Sequence, residues 1–167
     1  SAEPFGFQGI ANSARDLKLC AEIYAAEKFP PQPPLWTGER YNNSKIRIGY
    51  VSGEFRQHAV SFLMTELFEL HDKNRFELFA FDNGFDDGSE TRQRINRAFD
   101  EIVDITRLSD LEAATAIKQR QIDILVNLNG YFGQLRQGVF SYKPCPIQVN
   151  YLGFTTTIGA DYIDYIL

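Results

Sequence analysis

Two cysteines are too few to staple this chain. Cys20 and Cys145 stand far apart with no CxxC spacing, which excludes a disulfide scaffold and leaves both as buried or half-buried thiols of a reducing compartment. Positive charge is also scarce. Seventeen Lys and Arg face 22 Asp and Glu, for a formal charge of -5, so a general polyanion-binding surface is excluded and no nucleic-acid partner is expected. No apolar run approaches membrane-spanning length. Ser1-Ala2-Glu3-Pro4 opens without the basic n-region or apolar h-region of a signal peptide. These absences point to a cytoplasmic protein with no membrane partner. Histidine is rare too: His58 and His71 are the only two.

What is present suffices for one domain with a full core. The 167 residues are 44% hydrophobic, ordinary for a globular protein. Ala11, Ala14, Leu17, Ala21, Tyr24 and Ala25 recur near the helical period and predict a helix over 11–28, with Asn12 or Ser13 as its cap. It stops at Phe29-Pro30-Pro31-Gln32-Pro33-Pro34, where the prolines forbid helix and favour an extended spacer. Residues 1–34 are therefore expected to form a helical arm and linker that contribute little to the domain at 35–167. Trp36, the single tryptophan, is expected to pin the linker to that domain.

From Lys45 onward, β-type and helix-type patterns alternate. Strands are predicted at 45–52, 76–82, 101–105, 123–129, 147–152 and 162–167. Helices are predicted at about 60–72, 89–100, 109–121 and 136–142. Ser89 caps one helix, and Ser109-Asp110-Leu111-Glu112 has the form of a capping box. Six strands with short βα connections predict an α/β, Rossmann-like, mostly parallel sheet with helices on both faces and right-handed crossovers. In such sheets a ligand crevice forms at the carboxyl ends of the strands.

Three strand-end loops carry candidate chemistry. The first is Ile46–His58, IRIGYVSGEFRQH, where an apolar strand gives way to a polar loop ending at His58. A neutral imidazole there could act as a general base or contact phosphate or sugar, and it could equally just cap the following helix. The second is Asn127–Tyr131, NLNGY. Asn129 offers a donor and an acceptor and Gly130 permits close backbone approach, although a tight turn alone explains the pattern. The third is Gly153–Gly159, GFTTTIG, whose backbone N–H groups could grip phosphate or sugar oxygens. It lacks the Gly-Lys-Ser/Thr ending of a P-loop and is not GxGxxG. Asp86-Asp87 lacks a third ligand nearby and suits a helix start better than a metal site. His71 suits a helix C-terminus.

Taken in order, IRIGYVSGEFRQHAVSFLM, FDDGSETR, DILVNLNGY, PCPIQVNYLGF and IGADYIDYIL resemble the N-terminal half of the catalytic region of O-GlcNAc transferase-like glycosyltransferases. The likeness runs from about Leu35 to Leu167 and is greatest to bacterial relatives that carry tetratricopeptide repeats. The resemblance implies one half of a GT-B enzyme, two Rossmann-like halves across a cleft, with the helical arm at the end of an upstream repeat region. It implies an inverting glycosyltransferase that moves a sugar, GlcNAc by analogy, from a UDP-sugar to a protein Ser or Thr hydroxyl, with no metal and no other cofactor. His58 matches a histidine that faces the donor sugar and phosphate. Asn129, Gly130, Tyr131, Leu152, Gly153, Thr155 and Thr157 fall on substrate-binding loops, and Arg136 matches an arginine of the pattern. Two departures stand out. Phe132 replaces the threonine usual after Gly-Tyr, and Thr155-Thr156 replaces the usual Pro-Gly. The nucleotide is expected to sit mainly on a C-terminal half acting in cis beyond Leu167, so this part alone is expected to be inactive and to self-associate through the face left uncovered. The alternative is a non-catalytic Rossmann-like interaction module using the same crevice.

Overall fold

The computed structural model describes all 167 residues. Its frame is a six-stranded sheet: β1 (Ile46–Ser52), β2 (Phe76–Asp82), β3 (Glu101–Asp104), β4 (Ile124–Asn127), β5 (Ile147–Asn150) and β6 (Tyr165–Ile166). The strand order is β3-β2-β1-β4-β5-β6 and every pairing is parallel. This is the doubly wound order in which the winding reverses between β1 and β4, and the crevice opens there.

Strand alternation builds both faces. On β2, Leu78 and Ala80 point to one side with Ile48, Tyr50 and Val126; Phe79 and Phe81 point to the other with Val51 and Leu125. The first face is covered by α3 (Ala59–Leu70) and α4 (Glu90–Ala98), through Val60, Met64, Phe68 and Ile95. The second is covered by α5 (Asp110–Gln119) and α6 (Gln137–Ser141), through Ala113, Ala114, Ile117, Val139 and Phe140. The expected α/β sheet with helices on both faces is the fold observed. Ser89 Oγ accepts from Arg92 N, and Ser109 with Glu112 forms the complete capping box.

Three strands are shorter than their sequence patterns by two residues or more. Asn127 ends β4 because its Oδ1 accepts from both Asn129 N (3.1 Å) and Gly130 N (2.9 Å), which turns the chain out of the ladder. β5 gives out at Asn150, before the left-handed residue Leu152 (φ 72°). β6 keeps only two residues because Tyr162 turns inward to bury its ring.

The arm comprises α1 (Pro4–Phe7) and α2 (Ala14–Lys28), the latter capped by Ser13. It is not the separate piece that the proline block suggests. Ala21 is fully buried against Tyr131, Phe154 and Ile158. Gly159 comes so close to α2 that a Cβ there would sit 2.4 Å from Glu22 N. The prolines forbid helix but leave other backbone groups free: Gln32 N, Leu35 N and Trp36 N donate to the carbonyls of Ser141, Tyr142 and Lys143 at 2.8–3.0 Å. The linker is thus tied by its backbone, while the half-buried Trp36 donates Nε1–H to Glu39 O. Deleting residues 1–30 is expected to uncover Tyr131, Phe154 and Ile158 and to lower stability by about 2–5 kcal/mol. The sheet core should still unfold cooperatively. Urea titration checks this, and an unchanged midpoint would show that the docked arm contributes nothing.

Candidate functional site

The loops following β1, β2, β4 and β5 meet at the carboxyl edge of the sheet, around the β1–β4 reversal. Gly53 N donates to Asn129 Oδ1 at 3.0 Å, joining the first and third of these loops. Asn83, after β2, donates Nδ2–H to Gln134 O at 3.1 Å. Gly153, after β5, lies against the backbone of Leu128, where a Cβ would fall 2.0 Å from the carbonyl oxygen. Parallel strands deliver all four loops to one edge, and small residues let their backbones touch.

His58 stands at this junction with its side chain one-quarter exposed. It is the N-cap of α3: Nδ1 accepts from Val60 N at 3.3 Å. Only an unprotonated Nδ1 can accept that hydrogen, so in the neutral ring Nε2 carries the proton. Nε2 faces Glu54 Oε2 at 4.0 Å. Glu54 is almost wholly buried, and its Oε2 is held by the Arg56 guanidinium. The guanidinium also lies over the Phe85 ring, 4.9 Å from its centroid. Phe132 also stands beside His58, ring centroids 5.9 Å apart. Capping and a place in the crevice are therefore not alternatives: His58 does both.

The other candidates divide. Asn129 is buried and its amide is used within the loops, Oδ1 on Gly53 N and Nδ2 on Phe132 O. Gly130 sits at φ 56° against Phe154 and Asn150. Tyr131 is buried and its hydroxyl donates to Ile158 O at 2.8 Å; burial pushes this phenol far up from its ordinary value. These three shape the loop and present no free side-chain group. Leu152 and Gly153 are half-exposed, Thr155 is exposed, and Thr157 is half-buried with Oγ1 accepting from Gly159 N at 3.1 Å. Thr157 also lines an 800 Å³ cleft between α2 and residues 157–165, a cleft that His58, Asn129 and Gly153 do not line. Arg136 is spent on structure: it pairs with Asp110 and donates to Asn83 Oδ1, Ile105 O and Leu108 O at 2.8–2.9 Å. Cys145 is buried, its thiol pushed up to about 12 by desolvation, and so has no thiolate chemistry.

Glu54 and Arg56 escaped the sequence reading, although both lie in the polar run that ends at His58. Phe5 escaped it as well. This residue of α1 brings its ring to 5.0 Å from Phe132 and so places the arm at the rim of the site. No periodicity or motif links positions 5 and 132.

Sheet order, crevice and convergent loops define a Rossmann-like α/β half of the kind found in GT-B transferases. The chain belongs to glycosyl transferase family 41, whose model matches residues 7–167. It is 42% identical over 74% of its length to an Arabidopsis thaliana protein named as a probable UDP-N-acetylglucosamine–peptide N-acetylglucosaminyltransferase. It is 35% identical over 95% of its length to the Caenorhabditis elegans UDP-N-acetylglucosamine–peptide N-acetylglucosaminyltransferase. The structure superposes on a mutant of the Thermobaculum terrenum O-GlcNAc transferase with a TM-score of 0.88 at 28% identity, covering 98% of this chain and 32% of that one. The chain spans only 13% and 14% of the two curated relatives. No helix is long and apolar enough to cross a membrane.

Proposed function

We propose that this chain is the N-terminal Rossmann-like half of the catalytic region of an inverting glycosyltransferase. In the intact protein a Ser or Thr hydroxyl of a polypeptide attacks the anomeric carbon of a UDP-sugar, GlcNAc by analogy with the relatives. The new C–O bond forms as the bond to UDP breaks; UDP leaves with the electron pair, and the hydroxyl's proton passes to the departing phosphate or to water. The observation that carries this is His58, partly exposed at the β1–β4 reversal of a sheet whose family membership is established. With Nδ1 occupied by Val60 N–H, the neutral ring offers Nε2–H as a donor to an oxygen of the donor sugar or phosphate. Accepting the hydroxyl's proton requires the ring to give up its cap first. The half-exposed backbone around Gly153 orients the sugar.

The reading extends to a cytoplasmic enzyme that needs no metal, an arm continuing upstream into tetratricopeptide repeats, and a C-terminal half in cis that binds the nucleotide. The test is transfer by the full-length protein from UDP-GlcNAc to a panel of Ser/Thr peptides, in the presence of EDTA. One N-acetylhexosamine per UDP released is expected. No transfer and no UDP release with any peptide would overturn it. The isolated 167-residue chain, by contrast, should give no micromolar UDP isotherm in calorimetry. It should also self-associate in sedimentation through exposed apolar residues such as Phe62, Leu63 and Leu70 of α3.

A further inference from the structure

A directed chain of hydrogen bonds runs through the interior from the loop after β4 to the end of the arm. Gly130 N and Asn129 N donate to Asn127 Oδ1 at 2.9 Å and 3.1 Å. Asn127 Nδ2 donates to Gln137 Oε1 at 2.8 Å. Gln137 Nε2 donates to the Tyr162 hydroxyl at 3.3 Å, and that hydroxyl donates to Phe29 O at 3.0 Å. Asn127, Gln137 and Tyr162 are all buried. Phe29 is the C-cap of α2, so its carbonyl lies past the helical ladder and takes its partner from elsewhere. Both ends of the chain are backbone groups of fixed polarity, N–H at the loop and C=O at the arm. Between them the two amides and the hydroxyl have one consistent orientation, with every hydrogen directed towards the arm. Burial pushes the Tyr162 phenol up to about 12, so it keeps the proton it donates. Turning either amide round would set donor against donor and acceptor against acceptor inside the core.

We propose that Tyr162 and Gln137 are positioning residues of this site, through which the docked arm sets the turn after β4 and with it the crevice loops. Both act through Asn127 rather than on a substrate. Their effect on transfer rests on the glycosyltransferase reading above; their effect on the loop does not. The turn they orient reaches the junction where His58 stands. Asn129, whose N–H the chain holds, accepts from Gly53 N on Oδ1 and donates Nδ2–H to Phe132 O. Phe132 in turn lies beside His58. The arm grips the same loop a second time: the Phe29 ring stacks on Tyr131, with centroids 6.2 Å and planes 23° apart. Phe29 therefore meets the loop by its ring at Tyr131 and by its carbonyl through Tyr162, Gln137 and Asn127. Cutting a network that only stabilised the core would loosen the whole domain alike. Cutting one that sets this turn loosens residues 128–132 first.

The experiment cuts the chain in the full-length protein. It reads hydrogen–deuterium exchange by mass spectrometry beside transfer from UDP-GlcNAc to a Ser/Thr peptide. Tyr162→Phe keeps the ring but leaves Gln137 Nε2 and Phe29 O without their shared partner. Exchange across residues 128–132 should rise about tenfold, the scale of one buried hydrogen bond, with residues 78–81 of β2 unchanged. In the same variant kcat/KM should fall about tenfold or more, as expected when reacting groups are misplaced from a distance. Ile117→Val, in the core but off the chain, is the control: it should change both segments alike and leave kcat/KM at the wild-type value. Gln137→Met breaks the chain one step further on and keeps the test decisive should Tyr162→Phe fail to fold. In the double variant the second substitution should add little, because it removes the donor that the first leaves unpartnered. Exchange at 128–132 that stays at the wild-type value, or rises by the same factor as in β2, overturns the proposal. So do fully additive effects in the double variant, and so does faster local exchange with kcat/KM unchanged. Wild-type protein that transfers to no peptide overturns the glycosyltransferase reading instead, and the exchange pattern then decides the role of the chain by itself.

Discussion

Arg92→Met is expected to cost this domain about 3–5 kcal/mol, the usual loss when one partner of a buried ion pair is removed. Arg92 lies on the first turn of α4 and is buried, as is Asp82 at the end of β2. Its Nη1 is shared between Asp82 Oδ2 and Phe55 O, the latter at 2.9 Å, and its Nε lies 3.4 Å from Asp86. The substitution leaves the Asp82 carboxylate in the interior with one remaining donor, Gly84 N at 2.8 Å. It also frees the Phe55 carbonyl, and with it the loop that carries Glu54 and His58. Most of the penalty comes from the stranded charge rather than from the lost attraction. Hence Asp82→Asn added to Arg92→Met should recover a large part of the loss, since Asn keeps an acceptor for Gly84 N and carries no charge. Urea unfolding of the two single variants and the double variant measures this. A single-variant loss under about 1 kcal/mol, or a double variant worse than Arg92→Met, would show that the pair does not behave as a buried ion pair.

Periodicity located the elements because burial here follows it closely. Leu78 and Ala80 face one core while Phe79 and Phe81 face the other, a period-2 pattern readable from FELFAFD. Caps at Ser89 and Ser109 were legible because they act over three residues. The strand-end loops were legible as places but not as chemistry. Asn129, Gly130 and Tyr131 could be assigned to one loop, yet whether an amide or a phenol faces solvent depends on partners as remote as Gly53 and Ile158. The same holds for Arg92 with Phe55 and for Phe5 with Phe132: these contacts join positions 37 and 127 residues apart and leave no local trace. The arm misled for a related reason. Four prolines say that helix must stop, but they say nothing about whether Ala21 has a surface to meet.

His58→Ala in the full-length protein should lower the proposed glycosyl transfer by ~10²–10⁴-fold if the imidazole handles a proton or an equivalent charge in the transition state. Alanine alone is a poor test, because His58 also caps α3 through Val60 N, and losing a cap costs about 1 kcal/mol by itself. A sluggish Ala variant could reflect a frayed helix start and a displaced loop. Asparagine separates the two effects. It is among the best N-cap residues, so His58→Asn should hold α3 and keep the urea midpoint of the wild type, yet it has no imidazole to present at Nε2. Neighbouring groups sharpen the expectation. Glu54 lies 4.0 Å from Nε2 and is already paired with Arg56, so it is not a free base, and His71, the other histidine of these 167 residues, lies at the far end of α3. His58→Asn should therefore be as stable as the wild type and as slow as His58→Ala. An Asn variant that turns over at the wild-type rate would reduce His58 to a helix cap and remove it from the chemistry.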